Sequence, residues 1–174
     1  MGQYYKPINE SKEEYLYSHK YDNGLKLMEH SYLGNSFVCA VEALIGPGGP
    51  WEGDVVRWEG DYADPQGGAG VNLYSTASES YTEIHPEPLS QSRRYVVNRT
   101  QRLYVDTTKQ PKDAWGMQIH ALPLLICNGN GRGGGDYCGT NLQHVGSWAG
   151  DVVTTLDEVP EGYTEQEIFF RESR

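Results

Sequence analysis

The chain has 174 residues, of which 21 are glycine and 9 are proline, and its formal net charge is -10. This length suffices for one hydrophobic core or for two small subdomains that share one, and the glycine and proline content argues against a helical bundle. The acidic balance argues against sequence-independent binding of DNA or RNA, because an acidic surface repels phosphate backbones.

The N-terminus bears on the cellular compartment. The opening MGQYYKPINESKEEY is polar and charged where the apolar region of a secretory signal peptide would lie, and no apolar run reaches the length of a membrane span. The three cysteines, Cys39, Cys127 and Cys138, form no Cys-x-x-Cys pair. We therefore expect reduced thiols, no membrane contact and a location in the cytoplasm of a bacterial or host cell.

Two β-hairpins are predicted, one near the start of the chain and one in its second half. The segments INESKEEYL (8–16) and VNRTQRLYV (97–105) share an apolar residue, an Asn-x-Ser/Thr turn, a tyrosine and a final apolar residue. β-Forming residues on both sides of such a polar turn are typical of a hairpin. The asparagine of each segment can occupy a left-handed turn position, and the Ser/Thr hydroxyl can bond the local backbone.

A second pair of segments extends this similarity into an internal duplication. WEGDVV (51–56) and WAGDVV (148–153) agree at all positions but one and follow their hairpins in the same order. GLKLMEH (24–30) and GMQIH (116–120) form a weaker match between them. We infer a first repeat over 1–64, a Gly-, Ser- and Pro-rich connector over 65–91, and a second repeat with a C-terminal tail over 92–174.

The segments between these landmarks differ in pattern. GNSFVCAVEALIG (34–46) has apolar residues at helical spacing, an N-cap at Asn35 or Ser36, and a stop at Gly46. In the second repeat IHALPLLICNG (119–129) contains a proline, so we expect a strand or a short irregular element. VNLYS (71–75) is compatible with a short edge strand, and the tail TEQEIFFRESR with a last strand or a frayed helix.

The predicted fold is therefore α+β and β-dominant, with two degenerate repeats packed as one globular unit. Each repeat contains a hairpin, an apolar segment, a Gly-rich loop and a Trp-x-Gly-Asp strand. One repeat alone offers a small core, so the two are expected to pack against each other.

Four stretches of the chain also carry a resemblance: MGQYYKPIN, YVVNRTQRLYVD, NGNGRGGGD and VGSWAGDVV. Together they resemble a family of small proteins without an assigned activity that occur in bacteria, their viruses and some eukaryotes, in single and tandem arrangements. The first half departs from the family pattern, because GPGGPWEGD stands where a Gly-Arg-Gly-Gly-Gly-Asp loop is expected. The resemblance supports the repeat boundaries and implies no mechanism.

The loop NGNGRGGGD (128–136) is the main candidate site. Consecutive backbone N–H groups in such a turn can bind an anion, and Arg132 can add charge-assisted hydrogen bonds. The loop is neither a P-loop nor a dinucleotide fingerprint. A plain flexible turn is the alternative. The residues predicted to bind ligand are Asn130, Gly131, Arg132, Gly133, Gly134, Gly135, Asp136 and Trp148, with Trp148 or Tyr137 stacking on a base.

Carboxylates and histidines give weaker candidates. Asp136 and Asp151 could share a divalent cation, and His120 or His144 could act as a general base beside Asp136. Ordinary Gly-Asp turns with the tryptophans in the core, and structural histidines, are the favoured interpretations.

Three functions follow from these patterns as hypotheses. The leading one is a cytoplasmic protein that binds a small anion or a nucleotide through its Gly-rich loop. The second is a metal-dependent phosphoesterase or related hydrolase. The third is a protein–protein interaction module, structural or counter-defence, of a virus or bacterium. The sequence indicates neither a cofactor nor an oligomeric state.

Overall fold

The computed structural model describes residues 2–65 and 70–173. They form two mixed sheets and four α-helices, which confirms the α+β class expected from the sequence. The strands are β1 (Tyr5–Asn9), β2 (Glu14–Tyr15), β3 (Arg57–Gly60), β4 (Thr82–Glu83), β5 (Tyr95–Asn98), β6 (Leu103–Asp106), β7 (Cys127–Asn128), β8 (Val153–Leu156) and β9 (Thr164–Glu165). The helices are α1 (Leu27–His30), α2 (Ser36–Ile45), α3 (Leu73–Ser80) and α4 (Ala121–Ile126).

Each sheet is built around one of the predicted hairpins. The first sheet has the order β4-β2-β1-β3-β7, and the second has the order β8-β5-β6-β9. In the first, β1 lies antiparallel between β2 and β3, and in the second, β5 lies antiparallel between β6 and β8. Val55 and Val152 form an antiparallel bridge between the halves, as do Tyr32 and Ile119. The matched strand arrangements support the two-repeat organisation, and both halves contribute to one hydrophobic core.

The two hairpin turns are closed by the same set of contacts. Asn9 Nδ2 donates to Asp54 Oδ2 at 2.9 Å, and Asn98 Nδ2 donates to Asp151 Oδ2 at 2.8 Å. Both asparagines are fully buried and lie at strand ends, so they do not occupy the left-handed position that the turn pattern allows. In each hairpin a positive φ falls on the residue before the second strand. This residue is Glu13, at 53°, in the first repeat and Arg102, at 56°, in the second.

The Trp-x-Gly-Asp segments form turns, as favoured from the sequence. Gly53 and Gly150 adopt positive φ values of 86° and 90°, a region that glycine enters without steric cost. Trp51 and Trp148 are buried beside them. The sequence contains one more Trp-x-Gly-Asp segment, at 58–61, and it differs because Trp58 lies within β3 and is buried in the core.

The two central helices differ in how well the sequence predicts them. Helix α2 begins at the expected cap, where Asn35 Oδ1 accepts the N–H groups of Phe37 and Val38, and it ends at Gly46. The strand expected over 119–129 is limited to β7 at Cys127–Asn128, and the expectation was wrong for Ala121–Ile126, which forms helix α4. Its proline, Pro123, lies in the first turn, where a backbone N–H has no intrahelical acceptor to lose.

The connector and the tail contain further regular structure. The edge strand considered for VNLYS was wrong: the segment enters α3, whose cap is Asn72. The part of the connector at 66–69 lies outside the described residues. The tail contributes strand β9 to the second sheet, as one of the two expected forms. Among the described residues, no helix is long and apolar enough to cross a membrane.

Candidate functional site

The glycine-rich loop, residues 128–136, lies in the connection between α4 and Trp148. The N–H of Trp51 donates to Leu44 O at 2.9 Å, and the N–H of Trp148 donates to Leu125 O at 2.8 Å. The two tryptophans therefore hold matching places after the central helices. The connection before Trp148 is much longer than the GPGGP connection before Trp51, and the loop belongs to this insertion.

Gln3 fixes the loop to the N-terminal segment. Its fully buried side chain donates through Nε2 to Asn130 Oδ1 at 2.9 Å and to Asp136 Oδ2 at 2.9 Å. Its Oε1 accepts the N–H of Asn130 at 3.2 Å, and its own N–H donates to Gly134 O at 3.3 Å. One glutamine thus contacts the loop at Asn130, Gly134 and Asp136.

Several donors predicted to bind an anion are used within the loop. The N–H of Arg132 donates to Asn130 Oδ1 at 2.9 Å, and the N–H of Gly133 donates to Asp136 Oδ2 at 3.0 Å. The carboxylate of Asp136 therefore takes a place that a bound anion would occupy in a nest of backbone N–H groups.

Two of the glycines are explained by close packing against the N-terminal segment. A Cβ atom on Gly133 would collide with the backbone and side chain of Gln3. A Cβ atom on Gly129 would collide with the Tyr5 hydroxyl and the Gln3 amide. The glycine content of the loop therefore has a packing reason that is independent of any ligand.

The carboxylate of Asp136 gives this region a negative potential. Burial raises the pKa of Asp136 above its ordinary value, although interactions with Gly133, Tyr5 and Gln3 favour the charged form. Burial also raises the pKa of Tyr5, and the negative charge of Asp136 adds to that shift. Burial and then the charge of Asp136 raise the pKa of Cys127 to about 12.

A pocket of about 400 Å³ opens beside the loop. Its polar lining consists of Tyr5 and the segment 128–131. The rest of the lining is largely apolar, and no lysine or arginine lines the pocket within the described part of the chain. The apolar lining includes Tyr137, Leu142, Val145 and Ala149.

Only some of the residues predicted to bind ligand line this pocket. Asn130 and Gly131 line it, whereas Arg132 is exposed and is not a lining residue. Trp148 is only 1% exposed, so stacking of its indole on a ligand base was a wrong expectation for this conformation. Tyr137 lines the pocket but is also largely buried, and its ring packs edge-on against Phe170.

The two aspartates proposed as metal ligands have separate partners. Asp151 Oδ2 accepts hydrogen bonds from Asn98 and Gln101, each at 2.8 Å, at the turn between β5 and β6. Asp136 is held by Gln3 and Gly133. Within residues 2–65 and 70–173, no three His, Cys, Asp or Glu side chains are grouped so that they could hold a metal ion. The shared metal site stays a prediction without a supporting contact.

The histidines proposed as general bases lie outside the pocket lining. His120 is fully buried at the cap of α4, where Nδ1 accepts the N–H of Leu122 and Nε2 lies 3.0 Å from Glu42 Oε2. Both ring nitrogens are therefore engaged in structural contacts, which is the interpretation favoured from the sequence. His144 ends the short 3-10 turn Leu142–His144, next to the pocket residue Val145.

Comparisons with protein-family models, with curated proteins and with solved structures gave no match to this chain. The family resemblance of the sequence therefore rests on its quoted motifs.

Two residues of the site, Gln3 and Tyr5, could not be identified by sequence reasoning. Both belong to the MGQYY opening, which carries part of the resemblance but matches no binding motif. Their partners lie more than a hundred positions away, so no local spacing indicates the contact.

Proposed function

We propose that the protein binds a small ligand in the pocket beside the glycine-rich loop, and that this ligand presents an amine or amide N–H to the loop. The observation that carries the proposal is the absence of a cation from the pocket lining in the described residues, combined with the desolvated carboxylate of Asp136 next to Tyr5. The proposal keeps the ligand-binding role expected from the sequence and changes the charge of the ligand.

Acceptor groups in the polar lining of the pocket support this choice. The side-chain oxygen of Asn128, the Tyr5 hydroxyl and the loop carbonyls can each accept a hydrogen bond from a ligand donor. A ligand ring or chain would pack on Leu142 and Val145. A few polar groups facing an apolar wall are typical of small-molecule sites.

The electrostatics favour a neutral or cationic ligand over an anion. Glu59, 1% exposed, has both carboxylate oxygens within 3.2 Å of Asn128 Nδ2, so a second buried carboxylate contacts the polar lining. Both Asp136 and Glu59 raise the pKa of the pocket residue Cys127. Attraction between these carboxylates and an ammonium group is strengthened by partial burial.

Binding of an anion or a nucleotide would require a different conformation of the glycine-rich loop. Arg132 would have to turn toward the pocket, and the N–H of Gly133 would have to exchange Asp136 for the ligand. This version remains open to experiment because it makes the opposite prediction about Arg132. No specific contact favours the hydrolase or the interaction-module hypothesis.

Three ring-matched probes test the charge of the ligand: benzylamine, benzamide and benzoate. Each is titrated into ¹⁵N-labelled protein while the backbone N–H signals are followed. We expect benzylamine and benzamide to shift the signals of 127–131 and 142–146, and benzoate to leave them in place. Arg132→Ala should not weaken the binding of benzylamine. Binding of benzoate that Arg132→Ala abolishes would restore the anion hypothesis.

A further inference from the structure

A second pocket, of about 320 Å³, lies between the segment 111–119 and the tail 170–172. Its walls include Met117, Ile119 and Phe170, of which Ile119 and Phe170 are buried core residues. None of the residues that line this pocket also lines the pocket beside the glycine-rich loop.

The first wall is a tight turn with a fixed backbone. Lys112 and Gln118 form an antiparallel bridge, and the N–H of Asp113 donates to Met117 O at 2.9 Å. Asp113 Oδ1 accepts the N–H groups of Trp115 and Met117 at 2.8 and 2.9 Å. The wall is therefore formed before any ligand binds.

The second wall is anchored in the core. The N–H of Phe170 donates to Gln110 Oε1 at 3.0 Å, while Gln110 Nε2 donates to Ile168 O at 2.6 Å. The N–H of Arg171 donates to the Tyr137 hydroxyl at 3.0 Å. These contacts hold the tail backbone in place and leave the Arg171 side chain at the pocket.

The charged groups around this pocket are unequally engaged. Asp113 is held by two backbone N–H groups, and Glu172 Oε2 accepts from the Tyr32 hydroxyl at 3.3 Å. Lys112 and Arg171 are exposed, and neither side chain makes a hydrogen bond or ion pair with the described residues. The pocket therefore presents open cationic groups beside an apolar floor.

We propose that this second pocket binds an organic carboxylate with an aromatic or aliphatic body. Lys112 and Arg171 would pair with the carboxylate, since charge-assisted hydrogen bonds are the stronger class of polar contact. The body would lie against Met117, Ile119 and Phe170. This proposal does not depend on the loop pocket, which differs in lining, charge and ligand class.

The fluorescence of Trp115 gives a local readout of binding. Trp115 is 71% exposed and lies between the lining residues Ala114 and Met117. Trp51, Trp58 and Trp148 are at most 1% exposed, so a ligand in this pocket changes the emission of Trp115 first. Trp115→Phe should remove the signal.

The probes are 3-phenylpropionate, 3-phenylpropionamide and phenylalanine, each followed by fluorescence and by backbone N–H shifts of 111–119 and 170–172. We expect 3-phenylpropionate to bind at least about tenfold more tightly than the amide, because the amide loses both charged contacts. Lys112→Gln and Arg171→Gln should each weaken its binding by roughly tenfold, whereas Lys20→Gln, at an exposed lysine elsewhere, should not.

Equal binding of the acid and the amide would overturn the proposal, and so would tighter binding of phenylalanine, which would indicate a zwitterion site. Shifts confined to 127–131 would place the probe in the loop pocket and also overturn it. Failure of 3-phenylpropionate to bind has no consequence for the benzylamine experiment, so the two proposals fail separately.

Discussion

The side-chain nitrogen of Gln3 lies 2.9 Å from Asp136 Oδ2, and this hydrogen bond joins residues 133 positions apart in the chain. The same amide holds Asn130 through both of its polar atoms. The conformation of the glycine-rich loop therefore depends on the N-terminal segment, and the pocket beside it is formed by residues from both ends of the chain.

Gln3→Ala should loosen the loop. The change leaves the N–H of Asn130 and the Asp136 carboxylate without their partner, at a cost of about 1–3 kcal/mol in the free energy of unfolding. Hydrogen exchange of the backbone N–H groups at 129–135 should accelerate. Gln143→Ala, at an exposed glutamine, serves as the control. Unchanged exchange in Gln3→Ala would show that the loop holds its shape without the glutamine.

We call the contacts of Asn9 with Asp54 and of Asn98 with Asp151 the hairpin locks. The two locks should contribute similarly to the free energy of unfolding. Asn9→Ala and Asn98→Ala each remove a buried side chain that bridges an aspartate and the N–H three residues later, at Lys12 or Gln101. We expect each change to lower the free energy of unfolding by about 1–3 kcal/mol, measured by denaturant titration. A large loss in one repeat and none in the other would contradict the structural equivalence of the locks.

The first lock should also depend on pH. Hydrogen bonds from Lys12 and Asn9 lower the pKa of Asp54. Its contribution to stability is therefore present above the ordinary aspartate pKa and is lost as the pH falls through the lowered value. Because the pair is partly exposed, we expect less than about 1 kcal/mol. Asp54→Asn should abolish this part of the pH dependence; an unchanged acid profile would contradict it.

The buried pair His120–Glu42 should be important for holding α2 and α4 together. Burial alone would raise the pKa of Glu42, but interactions with His120, Arg93 and Thr155 outweigh it and lower the pKa. His120→Ala removes the partner of Glu42 Oε2, although the N–H of Arg93 still donates to Oε1, and breaking this buried pair should cost about 3–5 kcal/mol. Glu42→Gln, which removes the charge and keeps the shape, should cost less. Equal losses in thermal unfolding experiments would contradict this explanation.

Lys6 should make the protein more stable as the pH rises. Its side chain is buried between the rings of Tyr15 and Tyr74, 4.2 and 4.1 Å from their centroids, and contacts Ser78. Burial lowers its pKa from 10.5 to about 8. Between these values the unfolded chain binds more protons than the folded one, so stability increases with pH.

Lys6→Met provides the test of this pH effect. Methionine keeps the apolar stem and removes the charge, so the variant should gain about 1–3 kcal/mol over the wild type at pH 7 and less at pH 9.5. Denaturant titrations at the two pH values measure the difference. A constant difference between wild type and variant would show that Lys6 does not titrate in this range.

Local patterns predicted the parts of the fold that local forces determine. The two hairpins and α2 follow from turn residues, alternating β-formers and the Asn35 cap. Helix α4 was missed because a proline was interpreted as a helix breaker, whereas Pro123 lies in the first turn, where it is tolerated. The edge strand considered for VNLYS was wrong because Asn72 caps helix α3.

The site was predictable only in part. Asn130 and Gly131 were identified by composition, but Gln3 and Tyr5 enter through tertiary contacts. The sequence favoured a core position for Trp148 and a structural role for His120, and both are buried, but the partner of His120, Glu42, is set by packing between the halves.

Benzylamine affinity in wild type and in Asp136→Asn tests the proposed function most directly, with Asp64→Asn at an exposed aspartate as the control. The asparagine keeps an acceptor for Gln3 and removes the negative charge. We expect Asp136→Asn to weaken binding at 127–131 by roughly tenfold and the control to leave it unchanged. Equal or tighter binding of benzylamine to Asp136→Asn would contradict the proposal that this pocket selects a neutral or cationic ligand.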